Sequence, residues 1–170
     1  MRKIEDFGCC GACAASLTAR YTSLNRLVER TDYDRPGETP DDQATITTLR
    51  DDVLGEYCDA VCAMPSALLV LFERGLRHAG GGAGPIETCA KCGGPVDLTE
   101  PHVTYQLMDQ TETRKPWLIS IQPHDAEVLA YVCQRCDGDL AADEFSVPET
   151  VVDMQPVGLP MAVSYSIEPE

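Results

Sequence analysis

Two Cys-x-x-Cys pairs in the second half of the chain constrain its fold more than any other feature. The first pair is Cys89-Ala-Lys-Cys92, the second is Cys133-Gln-Arg-Cys136, and forty residues separate them. Each pair is followed within two residues by glycine, which permits the tight turn that points backbone amides at the sulfurs. Four thiolates at this spacing suit one tetrahedral ion, and zinc is the ion that most readily accepts four sulfurs.

The residues between these pairs favour a small antiparallel sheet. Runs rich in β-branched and aromatic residues predict three short strands, at residues 103–108, 117–121 and 128–132. With its cysteine pairs and glycines, the segment at residues 86–145 resembles the zinc-ribbon and treble-clef families. The resemblance implies a structural zinc ion held by Cys89, Cys92, Cys133 and Cys136. These families serve too many functions for the resemblance to imply one.

A second cysteine cluster lies in the first half of the chain. Cys10-Gly-Ala-Cys13 precedes apolar residues at helical spacing, namely Leu17, Tyr21, Leu24 and Val28. A second helical pattern, formed by Ile46, Leu49, Val53 and Tyr57, leads to two cysteines four residues apart, on one helical face. We therefore predict a second zinc site at Cys10, Cys13, Cys58 and Cys62, with Cys9 left over. An iron–sulfur cluster would also suit four thiolates, and buried cysteines also occur simply as packing residues.

These patterns predict an α+β fold: an N-terminal three-helix segment, a small antiparallel zinc ribbon and an extended C-terminal arm. The helical domain covers residues 1–78, with a third helix over residues 67–78 after a break at Pro65. A glycine-rich linker at 79–85, the ribbon at 86–145 and a proline-rich arm at 146–170 follow. Forty-four residues separate Cys13 from Cys58, close to the forty in the ribbon, but the intervening patterns differ and predict no internal repeat.

Composition indicates the setting and the partners. The first residues lack the apolar core of a secretory signal, and the longest apolar run, residues 67–72, is too short to span a membrane. We therefore expect a cytoplasmic protein, or one assembled into a virus particle, in a reducing setting where nine cysteines favour metal over disulfides. A net charge of −15 makes nucleic acid an unfavourable partner. A protein partner or a homo-oligomer fits better.

The same acidity suggests a salt-rich environment. Only three lysines accompany the charge of −15, a composition typical of proteins that work in molar salt, such as those of halophilic archaea and their viruses. An acidic protein from a GC-rich bacterium would have a similar composition. The sequence leaves both sources open.

Catalytic patterns are missing from the sequence. His78, His102 and His124 are far apart along the chain, and no phosphate-binding glycine loop or nucleophile elbow occurs. Four cysteine ligands leave a zinc ion no open position for water. We therefore expect a non-enzymatic structural or adaptor protein, a subunit of a larger assembly such as a virion. The alternatives are a transcription or translation regulator whose ribbon contacts nucleic acid or polymerase, and a thiol-redox or metal-sensing protein that uses Cys9, Cys10 and Cys13.

Overall fold

The fold is described from a computed structural model, which covers residues 7–33, 44–82, 84–138, 150–152 and 163–164. Most of these residues form antiparallel strands. The elements in chain order are β1 (Arg20–Tyr33), β2 (Ala44–Tyr57), α1 (Ala60–Glu73), β3 (Ile86–Thr88), β4 (Pro95–Asp97), β5 (His102–Lys115), β6 (Leu118–Val132), a 3-10 turn (Gln134–Cys136), β7 (Thr150–Val152) and β8 (Val163–Ser164). The predicted N-terminal three-helix segment is therefore wrong, since α1 is the one α-helix among the described elements.

Two long hairpins build the main sheet. Its strand order is β7-β2-β1-β5-β6-β8, and all neighbouring strands are antiparallel. The hairpin β1–β2 lies beside the hairpin β5–β6, with β1 against β5 at the centre. Strands from either side of residues 79–85 thus share one sheet. The short strands β3 and β4 pair separately.

The first predicted helix is strand β1. Nine consecutive residues, 21–29, are buried in this strand. A central strand with both faces covered shows no alternation of apolar and polar residues, so its pattern carries no period of two. The helix-like spacing of Tyr21, Leu24 and Val28 arose by coincidence within this continuous buried run.

The second predicted helix is strand β2, where irregular pairing explains the misleading pattern. Leu49 and Leu54 have no partner on β1, because the register shifts opposite these residues. Each extra residue of such a bulge reverses the side-chain alternation of a strand. The spacing of Ile46, Leu49 and Val53 therefore resembles a helical repeat, although three threonines in the strand favour β-structure.

The helix α1 begins before the predicted break. Asp59 caps its N-terminus, and its carboxylate accepts a hydrogen bond from the backbone N–H of Cys62 at 2.9 Å. Pro65 lies within the helix, near its N-terminal end, and does not interrupt it. The helix ends at Glu73, so the predicted extension to residue 78 is also wrong. No helix in the described ranges is long and apolar enough to cross a membrane.

The core lies between α1 and the sheet. Ala63, Ala67 and Leu71 are the buried residues of the helix, and Leu71 packs in one cluster with Leu24 and Val103 of the central strands. The strands predicted at residues 117–121 and 128–132 belong to the single long strand β6, with Trp117 in the turn before it.

The described parts of the C-terminal arm are extended. β7 pairs with β2 and β8 pairs with β6, so each adds a short strand to one edge of this chain's own sheet. Pairing at an edge satisfies backbone groups that would otherwise remain open to other chains.

Candidate metal centres

The N-terminal cysteines lie on a tight loop before β1. The backbone N–H of Cys10 donates to the carbonyl of Ala15 at 2.8 Å, and the N–H of Ala14 donates to the carbonyl of Cys10 at 3.0 Å. Ala14 takes a left-handed conformation, with φ of 59°. These bonds close one turn that carries both Cys10 and Cys13, which we call the N-terminal knuckle (residues 10–15).

The end of β2 supplies the other two thiols of this group. Cys58 directly follows the strand and Cys62 lies in the first turn of α1. The Sγ atoms of Cys13 and Cys58 are 3.6 Å apart, and the N–H of Cys58 donates to Cys10 Sγ at 3.4 Å. The structure thus brings together the four cysteines that the sequence grouped, although only Cys62 lies within a helix.

The C-terminal group has the same construction. A turn between β3 and β4, the C-terminal knuckle (residues 89–94), carries Cys89 and Cys92, while Cys133 and Cys136 follow the end of β6. The N–H of Cys133 donates to Cys89 Sγ at 3.5 Å, and the Sγ atoms of Cys92 and Cys133 are 3.9 Å apart.

Both groups have the dimensions of a tetrahedral four-sulfur site. Within each group all four Sγ atoms lie within 4.8 Å of one another. Zinc–sulfur bonds of about 2.3 Å give a tetrahedron with edges of about 3.8 Å. The Sγ separations of 3.6 Å and 3.9 Å match that edge and are far longer than a disulfide bond. The two clusters can therefore each hold a metal ion with sulfur ligands alone.

The two knuckles match hydrogen bond for hydrogen bond. At the C-terminal knuckle the N–H of Cys89 donates to the carbonyl of Gly94, and the N–H of Gly93 donates to the carbonyl of Cys89. These bonds connect the same relative positions as those of Cys10, Ala14 and Ala15. Gly93 has φ of 74° where Ala14 has 59°.

The hairpins between the knuckles match as well. In β6 the unpaired bulge residues are Leu129 and His124, four and nine residues before Cys133. In β2 the unpaired residues stand four and nine residues before Cys58. The chain is therefore built from two structural repeats, each a knuckle, a long hairpin and a final cysteine pair. The sequence alone does not predict this repeat. The two halves share the positions of their bulges, but the side chains at those positions differ.

The repeats also hold each other through equivalent bonds. The N–H of Thr31 donates to the carbonyl of Leu98, and the N–H of Glu112 donates to the carbonyl of Ala19. Ala19 lies nine residues after Cys10, and Leu98 lies nine residues after Cys89. The distal part of each hairpin is thereby fixed beside the opposite knuckle. The pairing of β1 with β5 runs from Arg20 opposite Thr111 to Glu29 opposite His102, a length of about 30 Å at about 3.3 Å per residue.

Thiol ionisation differs within each group. The backbone amides of Cys13, Ala12 and Cys58 lower the pKa of Cys10 to about 6 against the effect of burial, which raises it. At the other site burial raises the pKa of Cys89, but amides including those of Cys92 and Cys133 outweigh it and lower the value to about 6. One thiol in each group is thus prepared to be a thiolate ligand.

Three other thiols hold their protons more tightly without a cation. Hydrogen bonding to Cys13 raises the pKa of Cys58 to about 12, and burial raises the pKa of Cys136 to about 12. Burial likewise raises the pKa of Cys62 to about 11. A bound divalent cation would reverse this and displace the protons, so metal binding at either group releases protons.

The other candidate residues lie outside both groups. Cys9 is exposed and does not join the N-terminal four. His102 is buried at 1% exposure with its ring against Tyr131, and His124 Nε2 lies 2.7 Å from Thr111 Oγ1. Among the described residues, no histidine belongs to a group that could hold a metal.

The chain matches no family model, no curated protein and no solved structure.

Proposed function

We propose that this chain is a non-enzymatic zinc protein, in which two treble-clef-like repeats each enclose one structural zinc ion. The observation that carries this is the pair of four-thiol groups with tetrahedral spacing. The order of knuckle, hairpin and final cysteine pair supports the treble-clef likeness. Zinc accepts four thiolates in this geometry without redox chemistry.

Full coordination argues against catalysis at either ion. Catalytic zinc sites keep one position for water or substrate, whereas four sulfurs fill the tetrahedron. An ion of this kind contributes to folding by joining parts of the chain that are distant in sequence. Each proposed ion would join a knuckle to the far end of its own hairpin.

Cobalt substitution tests whether four sulfurs fill the coordination sphere of each ion. We expect the isolated protein to be colourless and, after exchange, to bind two Co²⁺ ions per chain with the absorbance of tetrahedral cobalt–thiolate centres. Weak bands of five- or six-coordinate cobalt would reveal an open position and contradict a purely structural role. A brown protein before exchange would indicate iron–sulfur clusters instead.

We further propose that the protein acts as a subunit of an assembly. Three apolar side chains on the outer side of α1 support this, since Val61, Leu69 and Phe72 are 83%, 56% and 80% exposed. Apolar residues at this helical spacing form a stripe suited to protein contact. Light scattering after gel filtration should give a mass above that of one chain, and the double variant Leu69→Glu/Phe72→Glu should be monomeric. A monomeric, folded wild-type chain would contradict self-association.

A further inference from the structure

The two repeats share a backbone plan, so the differences between their metal groups are informative. We propose that the N-terminal group is an exchangeable metal site, while the C-terminal group releases its ion more slowly. This inference rests on the proposed metal binding at both groups. It adds a second property to the protein, the exchange of one ion with thiolate-rich acceptors or chelators.

Charge is the first difference. An ion of charge +2 with four thiolates leaves the site with a charge of −2, which nearby cations stabilise. The C-terminal ligand loops contain Lys91 and Arg135 and no acid, and Lys91 Nζ lies 3.3 Å from the carbonyl oxygen of Cys136. Arg77 Nε also approaches the C-terminal knuckle, at 3.4 Å from the carbonyl oxygen of Ala90.

The N-terminal ligand loops have the opposite character. Between Cys10 and Cys13 stand Gly11 and Ala12, and between Cys58 and Cys62 stand Asp59, Ala60 and Val61. These loops contain one carboxylate and no cation. Asp59 therefore adds negative charge beside thiolates that already carry it, which weakens the retention of the full thiolate set.

Hydrogen bonds to sulfur and burial of the cysteines also favour tighter metal binding at the C-terminal group. At the C-terminal site two backbone N–H groups donate to sulfur, from Gly94 to Cys92 and from Cys133 to Cys89. At the N-terminal site the matching bond of Cys58 to Cys10 is present, but within the part of the chain that the structure describes Cys13 has no counterpart of the bond from Gly94 to Cys92. Cys133 is buried at 8% exposure, whereas its counterpart Cys58 is half-buried. Solvent and competing ligands thus reach the N-terminal sulfurs more readily.

Timed alkylation of the zinc-loaded full chain in excess EDTA tests the proposal. Cys13 and Cys92 are matched by position and are both exposed, so their labelling rates compare metal release rather than access. Peptide mass spectrometry should show Cys13 and Cys62 protected for a shorter time than Cys92 and Cys136. Because the charges that differ between the two groups are exposed and each contributes little, we expect release to differ by about tenfold. Cys9, outside both groups, serves as the internal control and should react at mixing.

The outcomes separate this proposal from the proposed function. Simultaneous release from the two groups, or earlier labelling of the C-terminal cysteines, would overturn the proposed difference in release rate. The proposal that both groups bind zinc would still stand. Immediate labelling of all cysteines before EDTA is added would overturn zinc binding itself and this inference with it.

Substitutions that add or remove a charge at one matched position test whether charge causes the difference in release rate. Ala12 and Lys91 occupy the same place in the two knuckles, and both side chains are exposed. Ala12→Lys should slow N-terminal release severalfold relative to Ala12→Gln, which adds length without charge. Lys91→Gln should speed C-terminal release. Unchanged rates in all three variants would overturn charge as the origin of the difference.

Discussion

At the scale of single residues, the two knuckles differ at the position that needs a left-handed backbone. Ala14 and Gly93 have φ of 59° and 74°. The left-handed conformation costs a residue with a Cβ atom roughly 1–2 kcal/mol, whereas glycine adopts it freely. The N-terminal knuckle is therefore strained and the C-terminal one is not.

Exchanging these residues should shift stability in opposite directions. Gly93→Ala should lower the free energy of unfolding of the zinc-loaded protein by about 1 kcal/mol. Ala14→Gly should raise it by about 0.5 kcal/mol, because relief of strain exceeds the added freedom of the unfolded chain. Thermal unfolding of both variants checks this, and shifts of the same sign would contradict the matched geometry.

Buried charge offers a second test at this scale. The Arg26 side chain is 4% exposed and binds Asp52 of β2 at 3.0 Å and Asp137, next to Cys136, at 2.8 Å. Arg26→Met would leave both carboxylates without this cation, so we expect a loss of about 2 kcal/mol, less than for a fully buried pair. Arg50→Met is the matched control, since Arg50 also binds Asp52 but is 47% exposed, and it should cost less than about 0.5 kcal/mol in urea unfolding.

At the scale of elements, the cysteine groups were predictable while the elements that carry them were not. Thiol spacing is local, so Cys89, Cys92, Cys133 and Cys136 could be grouped from the sequence alone. Strand β1 could not be recognised, because burial on both faces removes the alternation that identifies a strand. Strand β2 was not recognised either, because bulges at Leu49 and Leu54 interrupt its alternation. These bulges arise from the pairing with β1, which the sequence of β2 alone does not indicate.

The start of α1 couples an element to a metal group. Asp59 both caps the helix and orients Cys62 through its backbone N–H. Asp59→Ala should lower stability by about 1 kcal/mol, because the first turn of α1 loses its cap. Asp59→Asn keeps the cap, so its thermal stability should stay near wild type. Equal losses in the two variants would show that charge, rather than capping, is what Asp59 contributes.

At the scale of the whole molecule, reciprocal bonds between the repeats explain why one sheet forms. Thr31 and Glu112 each fix the far part of one hairpin beside the opposite knuckle. The pairing of β1 with β5 joins segments about eighty residues apart in sequence. Such long-range contacts leave no periodic signal, so the sequence indicated a helical half and a separate ribbon instead of one sheet.

Net charge acts on the molecule as a whole. A charge of −15 on one chain favours expansion through self-repulsion, which salt screens over about 10 Å at 0.1 M. The midpoint of thermal unfolding should therefore rise with KCl. A continued rise at about 2–3 M, where simple screening is complete, is the result that a salt-adapted protein would give. A midpoint that stops rising below that range would contradict adaptation to molar salt.

The metal content of the isolated chain tests the central claim most directly. Elemental analysis with native mass spectrometry should find two zinc ions per chain, and one each in Cys13→Ser and Cys92→Ser. One zinc in the wild type that disappears in only one of these variants would reduce the account to a single site. A folded wild-type chain that holds no metal would contradict it.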